Sequence, residues 1–122
     1  MRITILRMVI MVVTLAFSKA EAGYVIIGIG AESCGTWTKE RAKGGLNSAQ
    51  AGQWMLGYIT AFNALGPRPS NFDHQEAFDI AEGINGDGIK AWIDNWCQAH
   101  PLDDINASAI ALIQKLRKRK GY

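Results

Sequence analysis

The sequence predicts a small all-α domain of four to five helices stapled by one disulfide. Three observations carry this expectation. Between Asp87 and Asp103 the apolar residues Ile89, Trp92, Ile93, Trp96 and Cys97 fall at the i, i+3, i+4, i+7, i+8 spacing of one helix face. Helical periodicity recurs in Ala51, Trp54, Met55, Tyr58, Phe62 and Leu65, and again in Ile105, Ala109, Leu112, Ile113 and Leu116. The chain has two cysteines, Cys34 and Cys97, each beside a tryptophan on a helical stretch.

The 122 residues divide into an export signal, 1–22, and a single helical domain, 23–122. Arg2 and Arg7 precede an apolar run from Met8 to Phe17, and Ala20-Glu21-Ala22 is a small-residue cleavage site. The run is short for a bilayer span, which needs about 20 residues. Cleavage is therefore expected, with a periplasmic mature protein and no stable membrane anchor. In that compartment two cysteines pair. The loop closed holds about 60 residues, for which chain entropy gives roughly 4 kcal/mol.

Residues 1–22 take three of the 13 basic and one of the 11 acidic residues, leaving ten of each. Lys115, Arg117, Lys118, Arg119 and Lys120 hold half of the remaining positive charge, so the body before them is acidic on balance. These cations suit the negative end of a helix dipole, and we read them as a solvated helix end. No nucleic-acid partner is expected of an exported chain.

In chain order, Tyr24–Ile27 has strand composition but no strand partner, and residues 23–32 are expected to pack loosely or be disordered. Gly28 and Gly30 lack the third glycine and the strand–helix unit of a nucleotide fold. Ser33 caps a first helix that Gly44-Gly45 stops, with Arg41 placed to cover Trp37. A second helix opens at Asn47 or Ser48 and runs to about Leu65, where Gly66-Pro67 ends it. Gly52 and Gly57 inside it predict close approach by another helix.

Residues 66–86 form a long connection. Asp73 and Glu76 match a capping box, so a short helix over 74–82 is expected, ended by Gly83. Asn85-Gly86-Asp87-Gly88 is turn chemistry. Asp87 then caps the Trp92–Trp96 helix and Pro101 stops it, leaving His100 extended. Asp103 caps the last helix. The sequon Asn106-Ala107-Ser108 lies inside it.

Candidate chemistry is sparse. Cys97 and His100 have the spacing of a nucleophile pair, but an available Cys34 removes the thiolate that such chemistry needs. Cys34, Cys97, His74 and His100 match no compact zinc spacing, so no metal and no cofactor are expected. Asp87, Asp94 and His100 are the only set for a hydrolase, and a cap and polar-face acid account for the carboxylates. We therefore expect no enzyme. The four tryptophans, at helical spacing, are read as core.

Ser33-Cys34-Gly35-Thr36-Trp37, Gln53-Trp54-Met55-Leu56-Gly57-Tyr58, Gly88-Ile89 through Trp92-Ile93-Asp94-Asn95-Trp96-Cys97, and His100-Pro101-Leu102-Asp103 together carry a resemblance. The chain resembles small exported bacterial proteins grouped with the Tai-type immunity proteins of type VI secretion, within an HdeA-like helical superfamily. The resemblance implies an all-helical, HdeA-like domain whose disulfide matches Cys34 and Cys97. It implies a protein partner. Immunity members block a cell-wall amidase in the periplasm, and HdeA-type members are acid-stress chaperones that bind unfolded clients. The four tryptophans and the long connection depart from a charge-rich chaperone. A homodimer is compatible with either role. Contact loops vary in such a family, so the contact surface is read from this chain alone. Long loops on rigid scaffolds carry recognition, which points to Arg68, Asn71, Phe72, Asp73, His74 and Glu76.

Overall fold

A computed structural model describes residues 23–122; the predicted export signal lies outside them. The described chain is all-helical. A short 3₁₀ helix, Gly28–Ala31, precedes α1 (Cys34–Lys43), α2 (Gly45–Leu65), α3 (Gly86–Ala99) and α4 (Ile105–Arg119). No helix among the described residues is long and apolar enough to cross a membrane.

Local chemistry explains most boundaries. Ser33 Oγ accepts from Thr36 N at 3.2 Å and opens α1 as expected. Gly44 and Gly45 have φ of 68° and 74°, a left-handed corner open to glycine at little cost. The corner is so tight that α2 starts at Gly45, two residues before Asn47. Asn85, not Asp87, caps α3, with its Oδ1 accepting from Gly88 N at 2.9 Å. What reads as a turn, Gly86-Asp87-Gly88, is thus the first helical turn. Asp87 stands within it, favourable to the dipole, and meets Lys90 Nζ at 2.7 Å. Asp104, not Asp103, caps α4 and accepts from Ala107 N at 2.6 Å. Asp103 serves elsewhere: its carbonyl accepts from Cys34 N at 2.7 Å.

The Cys34–Cys97 disulfide is present, with the two Cα atoms 4.8 Å apart. Both cysteines are fully buried. The bond sets α1 directly on α3, with α4 closing the far side through Ile105, Ala109, Leu112, Ile113 and Leu116, all buried. The second helix packs beside α1 and α3 through Ala51, Met55 and Ile59. The core tryptophan is Trp37, fully buried; Trp54, Trp92 and Trp96 are only half-buried around the core. Trp96 stacks on His100 at 4.1 Å. Leu65, the last residue of the predicted stripe, is 88% exposed. Gly52 faces the Lys90 stem of α3 closely, whereas Gly57 has open space and needs another account.

Residues 23–32 are docked, contrary to expectation. Trp54 Nε1 donates to Ile27 O at 2.8 Å, and Asn106 Nδ2 donates to Tyr24 OH at 2.9 Å. Asn106 is 5% exposed, so the sequon is occupied by packing. Gly30 lies flat against the Trp54 ring, and any Cβ there would enter it. Gly30→Ala should therefore displace Trp54 and cost about 1–3 kcal/mol, as overpacking does. Chemical denaturation and loss of the Trp54 indole N–H protection would register it.

Candidate functional site

The segment 66–86 holds the residues singled out for recognition. The predicted helix over 74–82 does not form, and the segment is a run of turns. Aspartates divert the backbone: Asp73 Oδ1 accepts from Gln75 N at 2.9 Å, and Asp79 Oδ1 accepts from Ala81 N at 2.9 Å. Such two-residue side-chain turns compete with helix. Glu76 does not reach back to Asp73, so the capping box is absent; its own N–H meets Asp73 O at 3.0 Å.

The turns are nonetheless held at several points. Arg68 reaches inward and donates to the last carbonyls of α2, at Gly66 O (3.1 Å) and Asn63 O. Its guanidinium also covers the Phe78 ring at 4.2 Å. Cations at a helix C-terminus satisfy orphan carbonyls and the dipole together. Asn63 Oδ1 accepts from Ile80 N at 2.9 Å, and Ile80 and Ala81 are buried. From α4, Lys120 pairs with Glu82 at 2.7 Å, and Arg119 Nη2 donates to Glu82 O at 2.7 Å. Arg68→Ala should release the segment at a cost of about 1–2 kcal/mol. Faster hydrogen exchange at the Ile80 amide would report it, and unchanged protection there would contradict it.

Held this way, the segment presents a concave face of about 500 Å³ lined by Asn71, Phe72, Phe78 and the carboxylates of Asp73, Glu76, Asp79 and Glu82. Asp73, Glu76, Asp79 and Glu82 are exposed. Lys120, the cation in the lining, is committed to Glu82. The structure thus brings Asn71, Phe72, Asp73 and Glu76 to one surface. Arg68 lies beneath it, and exposed His74 packs edge-on to Phe72 at 5.7 Å.

The other candidate chemistry is taken up in packing. The cysteine sulfurs are bonded to each other. His100 Nδ1 lies 2.8 Å from Trp96 O. Asp94 accepts from Trp37 Nε1 (2.7 Å), from Arg41 Nε (2.9 Å) and from Arg41 Nη2 (2.9 Å). Burial alone would raise the Asp94 carboxyl, but the hydrogen bonds from Arg41 and Trp37 outweigh it and hold it below the usual aspartate value. Arg41 also covers the Trp37 ring at 5.8 Å, as their spacing suggested.

Sequence reading missed Phe78, Asp79 and Glu82 of the acidic face, and it missed a second feature. A cleft of about 420 Å³ opens between α3 and α4, lined by Ile84, Ile89, Trp92, Leu112 and Leu116 and by Lys115, Lys118 and Arg119. The cations read as a solvated helix end stand on its wall. Their signal was present: Leu112, Lys115, Leu116 and Arg119 recur at i, i+3, i+4, i+7 on one face. Comparison with protein-family models, curated proteins and solved structures finds no match to this chain.

Proposed function

We propose that this chain is an exported, non-enzymatic binding protein that holds a basic protein partner on the acidic face of 66–86. The observation that carries the reading is the convergence of Asp73, Glu76, Asp79 and Glu82 around Phe72 and Phe78 on a segment anchored from below by Arg68. Opposed charge steers encounter and excludes wrong partners, and a pre-ordered loop loses little entropy on binding. Residues 1–22 act as the export signal, and the periplasm is the site of action. The buried disulfide supports this, since such bonds persist in oxidising compartments.

The resemblance carried by the Ser33–Trp37, Gln53–Tyr58 and Gly88–Cys97 stretches supports a sharper form. In it the chain is an HdeA-like immunity protein whose partner is a type VI secreted peptidoglycan amidase. The test is capture from periplasmic extract by the tagged protein and by an E76K variant, a charge reversal on an exposed side chain that leaves the Asp73 turn to Gln75 N intact. The captured partner is expected to be basic, and to bind the variant about tenfold more weakly at low salt, with the difference shrinking as salt screens it. Capture unaffected by the reversal would contradict the acidic face. An amidase that stays fully active with the protein bound would contradict the sharper form.

A second reading, an HdeA-like acid-stress chaperone, is favoured by one observation. The Asp94 carboxylate ties α3 to Trp37 and Arg41, and acid below the ordinary aspartate range removes its charge. A protein that stays compact and binds no hydrophobic dye at about pH 2–3, below the ordinary carboxylate range, would exclude it.

A further inference from the structure

The α3–α4 cleft is independent of the acidic face in its chemistry. Its floor is Leu112 and Leu116, each 2% exposed, and Ile89, 5% exposed. Half-buried Trp92 and Ile84 form the apolar walls. At about 420 Å³ it falls within the roughly 300–1,000 Å³ of small-ligand sites. The charged residues lining it are all cations: Lys115, Lys118 and Arg119. Lysine and arginine stems lie along apolar surface while their heads stay in water, so this wall is apolar below and positive above.

The cations are not spent on carboxylates. Ion pairs among the described residues are Arg41–Asp94, Lys43–Glu40, Lys90–Asp87 and Lys120–Glu82, none of which uses Lys115, Lys118 or Arg119. Glu82, whose carbonyl Arg119 holds, is itself paired with Lys120. The α4 C-terminus adds only about half a negative charge, less than the three cations supply.

We propose that this cleft binds a monomeric single-chain amphiphile with an anionic head: its acyl chain lies over Trp92, Leu112 and Leu116, and its head meets Lys115 and Lys118. An apolar ligand alone would leave the cationic rim unanswered, and a soluble anion alone would leave the apolar floor wet. A single chain with a terminal anion matches both, and the cleft is a single cavity of modest volume.

The test titrates the mature protein with dodecanoate, dodecanol and dodecyltrimethylammonium, each kept monomeric, and follows the four tryptophan indole N–H signals by NMR. Dodecanoate is expected to shift the Trp92 signal saturably, while those of Trp37 and Trp54, bonded to Asp94 and Ile27, stay in place. Dodecyltrimethylammonium is expected to bind at least tenfold more weakly. A K115Q/K118Q variant leaves Arg119 on the Glu82 carbonyl and keeps the fold. It should lose affinity for dodecanoate about fivefold and keep its affinity for dodecanol. No saturable Trp92 shift, equal affinity for all three probes, or an unchanged dodecanoate affinity in K115Q/K118Q would overturn the proposal. So would binding to anionic vesicles with no binding of monomeric dodecanoate.

Discussion

Reducing the protein, or replacing Cys34 and Cys97 with serine, is expected to lower its stability by about 2–5 kcal/mol, enough to unfold a domain of this size under mild conditions. The two cysteines are 63 residues apart, and a loop of that length gives roughly 4 kcal/mol in the chain-entropy model. The native side adds to this. Both sulfurs are fully buried in the core, and the α1 start is also sewn to the α3–α4 turn by Cys34 N to Asp103 O (2.7 Å) and Gly35 N to Pro101 O (3.0 Å). Serine replacement buries two hydroxyls, and either change frees α1 to leave α3. Urea unfolding with and without reductant checks this. Coincident midpoints would show that the α1–α3 contact stands without the bond.

Asp94→Ala is expected to cost about 2–3 kcal/mol at neutral pH. Trp37 is fully buried, and its indole N–H loses its partner; an unpaired buried donor costs about 1–3 kcal/mol. Arg41 loses both of its bonds to the carboxylate and keeps a contact to Ser48 Oγ at 3.4 Å. Asp94→Asn retains an acceptor for Trp37 and should fall between the two. The pH dependence has a definite sign. The Asp94 carboxyl is held below its ordinary value of about 3.9. Its contribution is thus complete above that value and is lost as pH falls through the lower folded value. The gap between wild type and Asp94→Ala should narrow as pH falls below about 4. Urea melts at neutral pH and in acid measure it, and a gap that is constant with pH would contradict the assignment.

The helices were legible where their signals are local. Ser33, Gly44 and Gly66-Pro67 bound α1 and α2 by their own chemistry, and the Ile105–Leu116 stripe is buried as its period requires. The caps of α3 and α4 slipped because neighbouring residues, Asn85 and Asp87 or Asp103 and Asp104, can each cap. At α4 the backbone decides: Asp104 stands extended in a bridge with Ser33 and its carboxylate accepts from Ala107 N, so the helix starts at Ile105. The 74–82 helix failed because Asp73 and Asp79 bond forward to the backbone two residues on. The fit of Gly30 to Trp54 joins residues far apart in the chain and leaves no periodic trace. Asp94 looked like an ordinary polar-face acid because its partners Arg41 and Trp37 lie 53 and 57 residues away. For the candidate site, the length of 66–86 was readable. Its anchoring was not, because Arg68 reads as a surface arginine until the α2 carbonyls are placed beside it.

The acidic face of 66–86 is expected to receive a basic protein without first having to fold. Amide hydrogen exchange on the free protein and on its complex with the captured partner tests this directly. The Ile80 and Ala81 amides, bonded to Asn63 and Asp79, should already be protected in the free protein. The partner should then slow exchange across residues 69–82, with little change along α1. Amides at Ile80 and Ala81 that exchange freely before binding, or a footprint confined to other elements, would contradict the account.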